Sequence, residues 1–465
     1  MLRGNHHPLC TDVHKFRYAR TAMTSTLISR PPVSAAARHA RIAVALFFLT
    51  NGALFANLLP RYPEIKAALD LTNTEFGLAV AAYPVGSLIA GLAAAALIRR
   101  FRSSRVALAG TVLISGGVLL AGLAPSWALL AGALLMVGAA DAIVDVAQNS
   151  HGLRVQRLFG RSILNSFHAI WSVGAVVGGL LAGGAAALFL PLGVHLTISG
   201  AVFILVGIVA YRLALPGAEP AEVGADAVGA DVQNDADGQS DADVQNDGGA
   251  TSATAAPQRA STPVAVPGRS TKFLLMGALV LVAICGIVFE DAGNSWSALY
   301  LANSLHAPAA IAAFGFVALV GAQFVGRILG DRLVDRFGQR TIARAGGALA
   351  AVGMGTALAF PSVPLTIVGF ALVGLGSATL VPAAMHAADE LPGFRPGSGI
   401  TIVSWLMRLG FLLSPLIVGM IADASSLRFG LLIVPVAGVL VVVFSAVLSG
   451  RPPRAGDADE AASPR

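Results

Sequence analysis

Long apolar segments alternate with short polar breaks along nearly the whole 465-residue chain. A hydrocarbon core about 30 Å thick is crossed by about 20 mostly apolar residues in helical form. Six such segments precede residue 215, and we expect spans at 42–60, 76–98, 106–124, 127–149, 163–189 and 193–213. Six more follow residue 272, at 273–299, 309–330, 342–360, 364–387, 399–422 and 428–449. The pattern predicts an all-α membrane protein with twelve transmembrane helices in two six-helix halves.

The composition agrees with a membrane protein and excludes a soluble enzyme. Hydrophobic residues make up 55% of the chain and charged residues only 12%, and the mean hydropathy is +0.74. A soluble domain carries about 25% charged residues. The chain therefore lacks about half of the charge that a surface facing water needs.

Arginine clusters mark alternate loops between the apolar segments. They follow the second, fourth and eighth spans, whereas the loops after spans 3, 5, 7 and 9 carry no Lys or Arg. The positive-inside rule predicts that the basic loops and both termini are cytoplasmic, in a multi-pass protein of the plasma (inner) membrane. The first apolar run is too long for the core of a signal peptide, so we expect it to stay as an anchor. Basic residues that are scattered between spans do not indicate nucleic-acid binding.

One long polar segment divides the chain, and it sets the expected domains. Residues 216–271 carry nine acidic residues and no aromatic residue, and the sequence Ala-Asp-Val-Gln-Asn-Asp occurs twice. Such a composition cannot bury enough apolar area to fold, so we expect a disordered acidic cytoplasmic linker. The other domains are a cytoplasmic tail (1–41), two six-helix bundles (42–215 and 272–450) and a second cytoplasmic tail (451–465). Duplicated bundles of this kind place a substrate site between the halves.

Several kinds of chemistry are missing from the sequence. None of the three lysines follows a glycine as a phosphate-binding Walker A loop requires, so we expect no ATP hydrolysis. No HExxH motif is present, and the two cysteines form no CxxC pair. We expect no metal and no cofactor. Transport of a small molecule driven by an ion gradient is the function that this pattern favours.

The loop after span 8 carries a recognisable signature. The segment Gly-Arg-Ile-Leu-Gly-Asp-Arg-Leu-Val-Asp-Arg-Phe-Gly-Gln-Arg at 326–340 resembles the G-x-x-x-D-R-x-G-R-R motif of the major facilitator superfamily. The motif is matched by Asp335, Arg336, Gly338 and Arg340. Asp331, beside Gly330, stands where the family has its first glycine. The resemblance implies the fold of that superfamily and a conformational latch made by Asp331, Arg332, Asp335, Arg336, Gly338 and Arg340.

A second resemblance concerns span 4. The sequence Asp145-Val-Ala-Gln-Asn149 is similar to the Glu-x-Ala-x-Asn motif of the fucose–proton symporter branch, and Phe47–Leu49 and Leu58–Pro60 are shared as well. The resemblance implies that Asp145 is the protonatable residue and that spans 1, 4, 5, 7, 10 and 11 line the cavity. The branch has a second acid in span 1, where this chain offers only Asn57. A sugar-like solute and an organic acid therefore both stay open.

Acidic residues inside predicted spans are the candidates for proton coupling. Asp141 and Asp145 are four residues apart and share one polar helix face with Asn149. Because a carboxylate that faces lipid costs several kcal/mol, this face should border protein or a wet cavity. A purely structural role in hydrogen bonding is the alternative. Glu290 in span 7 is the third candidate, either as a cavity residue or in an ion pair.

The remaining candidates are polar side chains that we expect in a substrate cavity. Arg408 lies about midway along span 11, where we expect it to pair with an acid or to bind an anionic substrate. Asp291, next to Glu290, should lie near the membrane interface. The full set of cavity candidates is Asn57, Asn149, Asn165, His168, Asn294 and Arg408.

Together these features predict a secondary active transporter. It would move a small polar solute by alternating access, coupled to protons, as a monomer in the lipid bilayer. One alternative is a proton-driven efflux antiporter for amphipathic compounds, which requires a wider and more apolar cavity. An alternative of another class is a membrane receptor or scaffold that does not transport, for which the sequence offers no folded signalling domain.

Overall fold

A computed structural model describes residues 34–160, 163–217, 269–395 and 397–448. Every regular element in these ranges is a helix. Most of the predicted linker (218–268), most of the N-terminal tail (1–33) and the C-terminal tail (451–465) lie outside the described residues. Within the described ranges, eleven helices, or twelve when one bent pair is counted as a span, are long and apolar enough to cross a membrane. The predicted all-α, two-half architecture is confirmed.

The principal helix of each span is labelled in chain order. The first half contains α1 (Ala35–Ala56), α2 (Asn73–Gly91), α3 (Ser103–Gly122), α4 (Trp127–Phe159), α5 (Leu164–Ala187) and α6 (Leu192–Leu213). The second half contains α7 (Arg269–Asp291), α8 (Ala309–Phe337), α9 (Gln339–Ala359), α10 (Val363–Ser377), α11 (Arg408–Ala424) and α12 (Ile433–Phe444). Shorter helices continue several spans: Leu59–Arg61 and Tyr62–Ala68 after α1, Ala94–Phe101 after α2, Leu380–Asp389 after α10 and Ser398–Leu406 before α11.

Several spans are broken where the sequence predicted continuous helices. The expected span 76–98 consists of α2 and a second helix, Ala94–Phe101, bent by 57°. After α7 the chain continues as π-helix over Ala292–Trp296 and Tyr300–Ser304, with one α-helical turn between them. The expected span 399–422 is interrupted at Met407. Hydropathy could not show these breaks because each flanking piece is itself apolar.

Helix ends at the arginine-rich loops show the duplication of the fold. The helix Ala94–Phe101 ends at Arg102 with φ 74° and ψ 144°, and α8 ends at Gly338 with φ 83° and ψ 152°. Only glycine adopts this region without strain, so Gly338 fits its position whereas Arg102 is strained. We call the end of the bundle that carries these arginine loops the basic face, and the other end the opposite face.

Among the described residues, the close contacts between the two halves lie toward the opposite face. There α2 packs against α11, with Gly77 against the backbone of Pro415, and α5 packs against α8, with Gly183 against Ala313. The two halves also share one continuous apolar core. Toward the basic face the halves separate, and this separation creates the space described next.

Candidate functional site

A cavity of about 900 Å³ lies between the halves and opens at the basic face. Helix α5 supplies one wall, and helices α7, α8, α10 and Leu380–Asp389 supply the other. Residues of the arginine loop lie at its mouth. The polar groups that line the cavity include His168, Ser172, Glu290, Arg327, Asp331 and His386.

The charged centre of the second-half wall joins three helices. The Arg327 guanidinium lies 3.3 Å from Glu290 Oε1, and the Gln323 amide donates to the same oxygen. Gln323 Nε2 also donates to Ser377 Oγ of α10, at 3.1 Å. Glu290 therefore holds α7 to α8, while Arg327, with 40% of its side chain exposed, presents free guanidinium surface to the cavity.

Asp141 is the centre of a hydrogen-bond network within the first half. Its Oδ1 accepts from Asn51 Nδ2 of α1 at 2.7 Å, and its Oδ2 accepts from the Tyr83 hydroxyl of α2 at 2.8 Å. Asn51 Oδ1 in turn accepts from Trp171 Nε1 of α5 at 2.8 Å. Both carboxyl oxygens of Asp141 are thus occupied by donors. This arrangement suits the structural role that the sequence left as the alternative for this residue.

Close helix contacts make the Asp141 network possible. A Cβ at Gly138 would lie 2.0 Å from the Tyr83 carbonyl oxygen, and one at Gly52 would lie 2.1 Å from the Trp171 carbonyl oxygen. Only glycine permits such an approach of two backbones. The approach brings the short side chains of α1 and α4 within hydrogen-bond distance of the larger aromatic donors.

Asp145 lies one turn nearer to the basic face and has a different environment. It is exposed, and it accepts from Asn149 Nδ2 at 3.0 Å and from Gln148 Nε2 at 3.3 Å. It also interacts electrostatically with His168 of the cavity wall, and His168 interacts in turn with Arg327 across the cavity. Of the two acids of α4, Asp145 is therefore the one that water and a solute can reach.

The π-helical segment after α7 separates Glu290 from Asn294 and Ser297, which a regular α-helix would place on one face. Glu290 lines the cavity, but Ser297 is fully buried and donates to the Gly293 carbonyl. Asn294 Oδ1 is buried and has no hydrogen-bond partner among the described residues. The reason is geometric, since a wider helical turn shifts the face that the i, i+4, i+7 spacing shares in an α-helix. Asp291, expected near the interface, is instead buried with 5% exposure.

Three other expected cavity residues lie elsewhere or lack a described side chain. Arg408 is exposed and makes no ion pair among the described residues; the arginine that pairs with Glu290 is Arg327. Asn57 is buried between α1 and α6, where its Oδ1 lies 3.0 Å from His195 Nε2. Asn165 belongs to α5, but its side chain lies outside the described part of the structure.

The arginine loop after α8 makes no ion pair to the first half within the described residues. Arg340 Nε donates to the Leu448 carbonyl at 3.1 Å, and Arg336 lies over the Phe337 ring. Asp331 lines the cavity mouth, while Arg332 and Asp335 are exposed. A latch role for this loop stays a prediction, because the structure is open on the face where the latch would close.

The opposite face is closed by aromatic and polar contacts between the halves. Phe76 of α2 meets Trp296 edge-on, with ring centroids 5.6 Å apart, and meets Tyr62 at 5.1 Å. Asp423 at the end of α11 accepts from the backbone N–H groups of Asn73 and Thr74, at 2.8 and 2.7 Å. It thereby caps the first turn of a helix that belongs to the other half. We call Tyr62, Phe76, Trp296 and Asp423 the opposite gate.

Sequence reasoning missed several of these residues. Arg327 lies inside the predicted span 309–330, so the rule that singled out Arg408 applies to it equally. Asn51 and Tyr83 gave no such signal, since uncharged polar residues are common in spans and only the packing pairs them with Asp141. Asp423 is the last charged residue of its helix and resembles an ordinary interfacial acid.

In the described residues, two helical bundles enclose a polar cavity that opens at the basic face, which is the architecture of a membrane transporter. A sequence model of the Major Facilitator Superfamily matches residues 43–333 and 281–464. The chain belongs to this superfamily and is not an enzyme.

Similar proteins support the assignment. An uncharacterized transporter, y4wD of Sinorhizobium fredii, is 28% identical over 408 residues, which cover 87% of this chain and 97% of that protein. The solved nucleoside transporter NupG has a TM-score of 0.63 at 11% identity, covering 89% of this chain and 99% of its own. The D-xylose-proton symporter has a TM-score of 0.61 at 14% identity, covering 89% and 98%. Such low identities show the fold alone, so the resemblance to the fucose–proton symporter branch stays a prediction.

Proposed function

We propose that the protein is a proton-coupled secondary transporter that moves a small polar solute across the plasma membrane, with its basic face in the cytoplasm. The observation that carries the proposal is the charged cavity between the halves. His168 lies on one wall, with the exposed Asp145 of α4 in electrostatic interaction with it, and the Glu290–Arg327 pair lies on the other wall. Charged and hydroxyl groups on both walls favour a polar solute over the amphipathic compounds of an efflux antiporter.

Within this proposal Asp145 is the first candidate for the coupling proton. It is the exposed acid of α4, and its neighbours Asn149 and Gln148 can donate hydrogen bonds to the ionised form. Asp141, whose two oxygens are already bonded to Asn51 and Tyr83, positions the helices around it. The D-xylose-proton symporter has the same fold, so proton coupling is compatible with this architecture.

The test begins with a thermal-shift screen of the purified protein against sugars and organic acids. A bound solute raises the melting temperature in a concentration-dependent way. Uptake of the best hit is then measured in proteoliposomes with an imposed pH gradient, for wild type and for Asp145→Asn. We expect the variant to lose accumulation driven by the gradient while it still exchanges solute. Unchanged accumulation by the variant would exclude Asp145 as the proton carrier.

A further inference from the structure

Asp291 is a buried carboxyl group at the junction of the cavity and the opposite gate. It ends α7, directly after the cavity residue Glu290 and directly before the π-helical segment. Only 5% of its surface is exposed. Its Oδ1 accepts from Ser295 Oγ at 2.9 Å, whereas Oδ2 is buried without any hydrogen-bond partner in the described part of the chain.

Within the described residues, the groups that face Asp291 are uncharged. Tyr62, the titratable group that faces it from the first half, is itself buried and its hydroxyl has no described partner. From α11, the Ser414 hydroxyl faces the carboxyl and has no other hydrogen-bond partner among the described residues. From α8, Leu319 packs against the π-helical segment at Gly293. No Lys, Arg or His forms an ion pair with Asp291 among the residues that the structure describes.

An ionised carboxylate in this position would have neutral hydroxyl donors, Ser295 and Ser414, and no counter-charge pairs with it among the described residues. A buried charge without a partner is strongly unfavourable, whereas the neutral acid needs only the bonds that a hydroxyl and a carbonyl can make. Tyr62 and Phe76 belong to the first half, but Asp291 and Trp296 belong to the second. Opening of the opposite gate would separate these groups and admit water to the carboxyl.

We propose that Asp291 binds one proton each time the opposite gate closes and releases it when water enters the open gate. The proposal rests on the proposed function and adds a second proton site to Asp145, at the other end of the cavity. A proton taken up from the opposite face would then be a condition for closing that face. Solute binding and proton binding are thereby linked through one conformational step.

The experiment measures opening of the gate rather than transport. Spin labels are placed at Phe189→Cys and Phe360→Cys, which are 93% and 70% exposed in loops of the two halves on the opposite face. The cysteines Cys10 and Cys285 are replaced by alanine. Inter-label distances are then recorded in nanodiscs between pH 5 and 9. If one proton leaves per opening, the ratio of open to closed protein rises about tenfold per pH unit in the range where Asp291 titrates.

The variant Asp291→Asn mimics the protonated acid, so its opposite gate should remain closed from pH 5 to 9. The ratio of open to closed protein should then no longer rise with pH. Asp70→Asn, an exposed acid on the same face, serves as the matched control and should keep the pH slope. A pH-independent distance distribution in wild type overturns the proposal without reference to any variant. An unchanged slope in Asp291→Asn also overturns the proposal. So does a gate whose closure depends on replacing Na⁺ with choline at constant pH, because the gate would then respond to Na⁺ rather than to protons.

The outcome is separable from the test of the proposed function. Loss of the pH slope in Asp291→Asn supports the proton site even when uptake in proteoliposomes proves not to be driven by a proton gradient. Conversely, uptake can prove to be driven by protons while Asp291→Asn keeps the pH dependence of gate opening. That result retains the transporter assignment and shows that Asp291 is not the proton site of the gate.

Discussion

The cap that Asp423 places on α2 joins the two halves at the opposite gate and can be removed by one substitution. The first N–H groups of a helix have no partner inside the helix. The N–H groups of Asn73 and Thr74 donate to Asp423 across the gate, whereas that of Glu75 donates to Thr72 within its own half. The variant Asp423→Ala therefore removes contacts that exist only while this gate is closed.

The magnitude follows from the cost of losing a helix cap. Replacement of a capping side chain by alanine costs about 1 to 2 kcal/mol. Asp423 is exposed, and water partly replaces the lost contacts. We therefore expect a free-energy cost within that range, below the cost of losing fully buried charged hydrogen bonds. A change of one or two kcal/mol alters a two-state ratio by about 5- to 30-fold. Asp423→Ala should thus raise the ratio of gate-open to gate-closed protein by that factor.

The spin-label pair at positions 189 and 360 measures this ratio at fixed pH. The matched control is Thr72→Ala, which removes the cap on the same helix from within the first half. It should lower the melting temperature but leave the distance distribution unchanged, because its bond exists whether the gate is open or closed. An unaltered distribution in Asp423→Ala, or an equal shift in Thr72→Ala, would refute the reasoning.

Three further outcomes are expected. Gly138→Ala should destabilise the protein by about 1 to 3 kcal/mol, seen as a lower melting temperature, because its Cβ would lie 2.0 Å from the Tyr83 carbonyl oxygen. Arg102→Gly should raise the melting temperature, since it relieves a φ of 74° that costs about 1 kcal/mol or more in a residue other than glycine. Arg327→Gln should abolish uptake while thermal unfolding changes by about 1 kcal/mol or less, because 40% of the Arg327 side chain is exposed and Gln323 still donates to Glu290. A stability loss as large as that of Gly138→Ala would instead assign this arginine a structural role.

The helices themselves could be predicted because the membrane imposes a strong local rule. A segment that crosses lipid must satisfy its backbone hydrogen bonds internally, so length and hydropathy nearly suffice to find it. The same rule points to Asp141, Asp145 and Glu290, since acids in apolar spans are costly unless they face protein or water. The rule predicts the presence of such residues but not their partners.

The partners depend on contacts between distant segments. Asp141 and Asp145 look alike in the sequence, yet the structure surrounds the first with Asn51 and Tyr83 and exposes the second toward His168. Similarly, the two neighbours Glu290 and Asp291 point into different environments. The π-helical segment that follows them changes the turn, and no pattern of hydropathy reports that change.

By itself, the sequence determined that this chain is a helical membrane protein in two related halves, and that acids lie within its spans. Those properties follow from the local free-energy cost of placing peptide groups and charges in lipid. Only the tertiary structure decided that Arg327 rather than Arg408 pairs with Glu290. It also decided that Asp291 is buried at a closed gate and that Asp423 caps a helix of the other half. Each of these facts depends on where two halves meet in one conformation, and that meeting is set by packing across hundreds of residues.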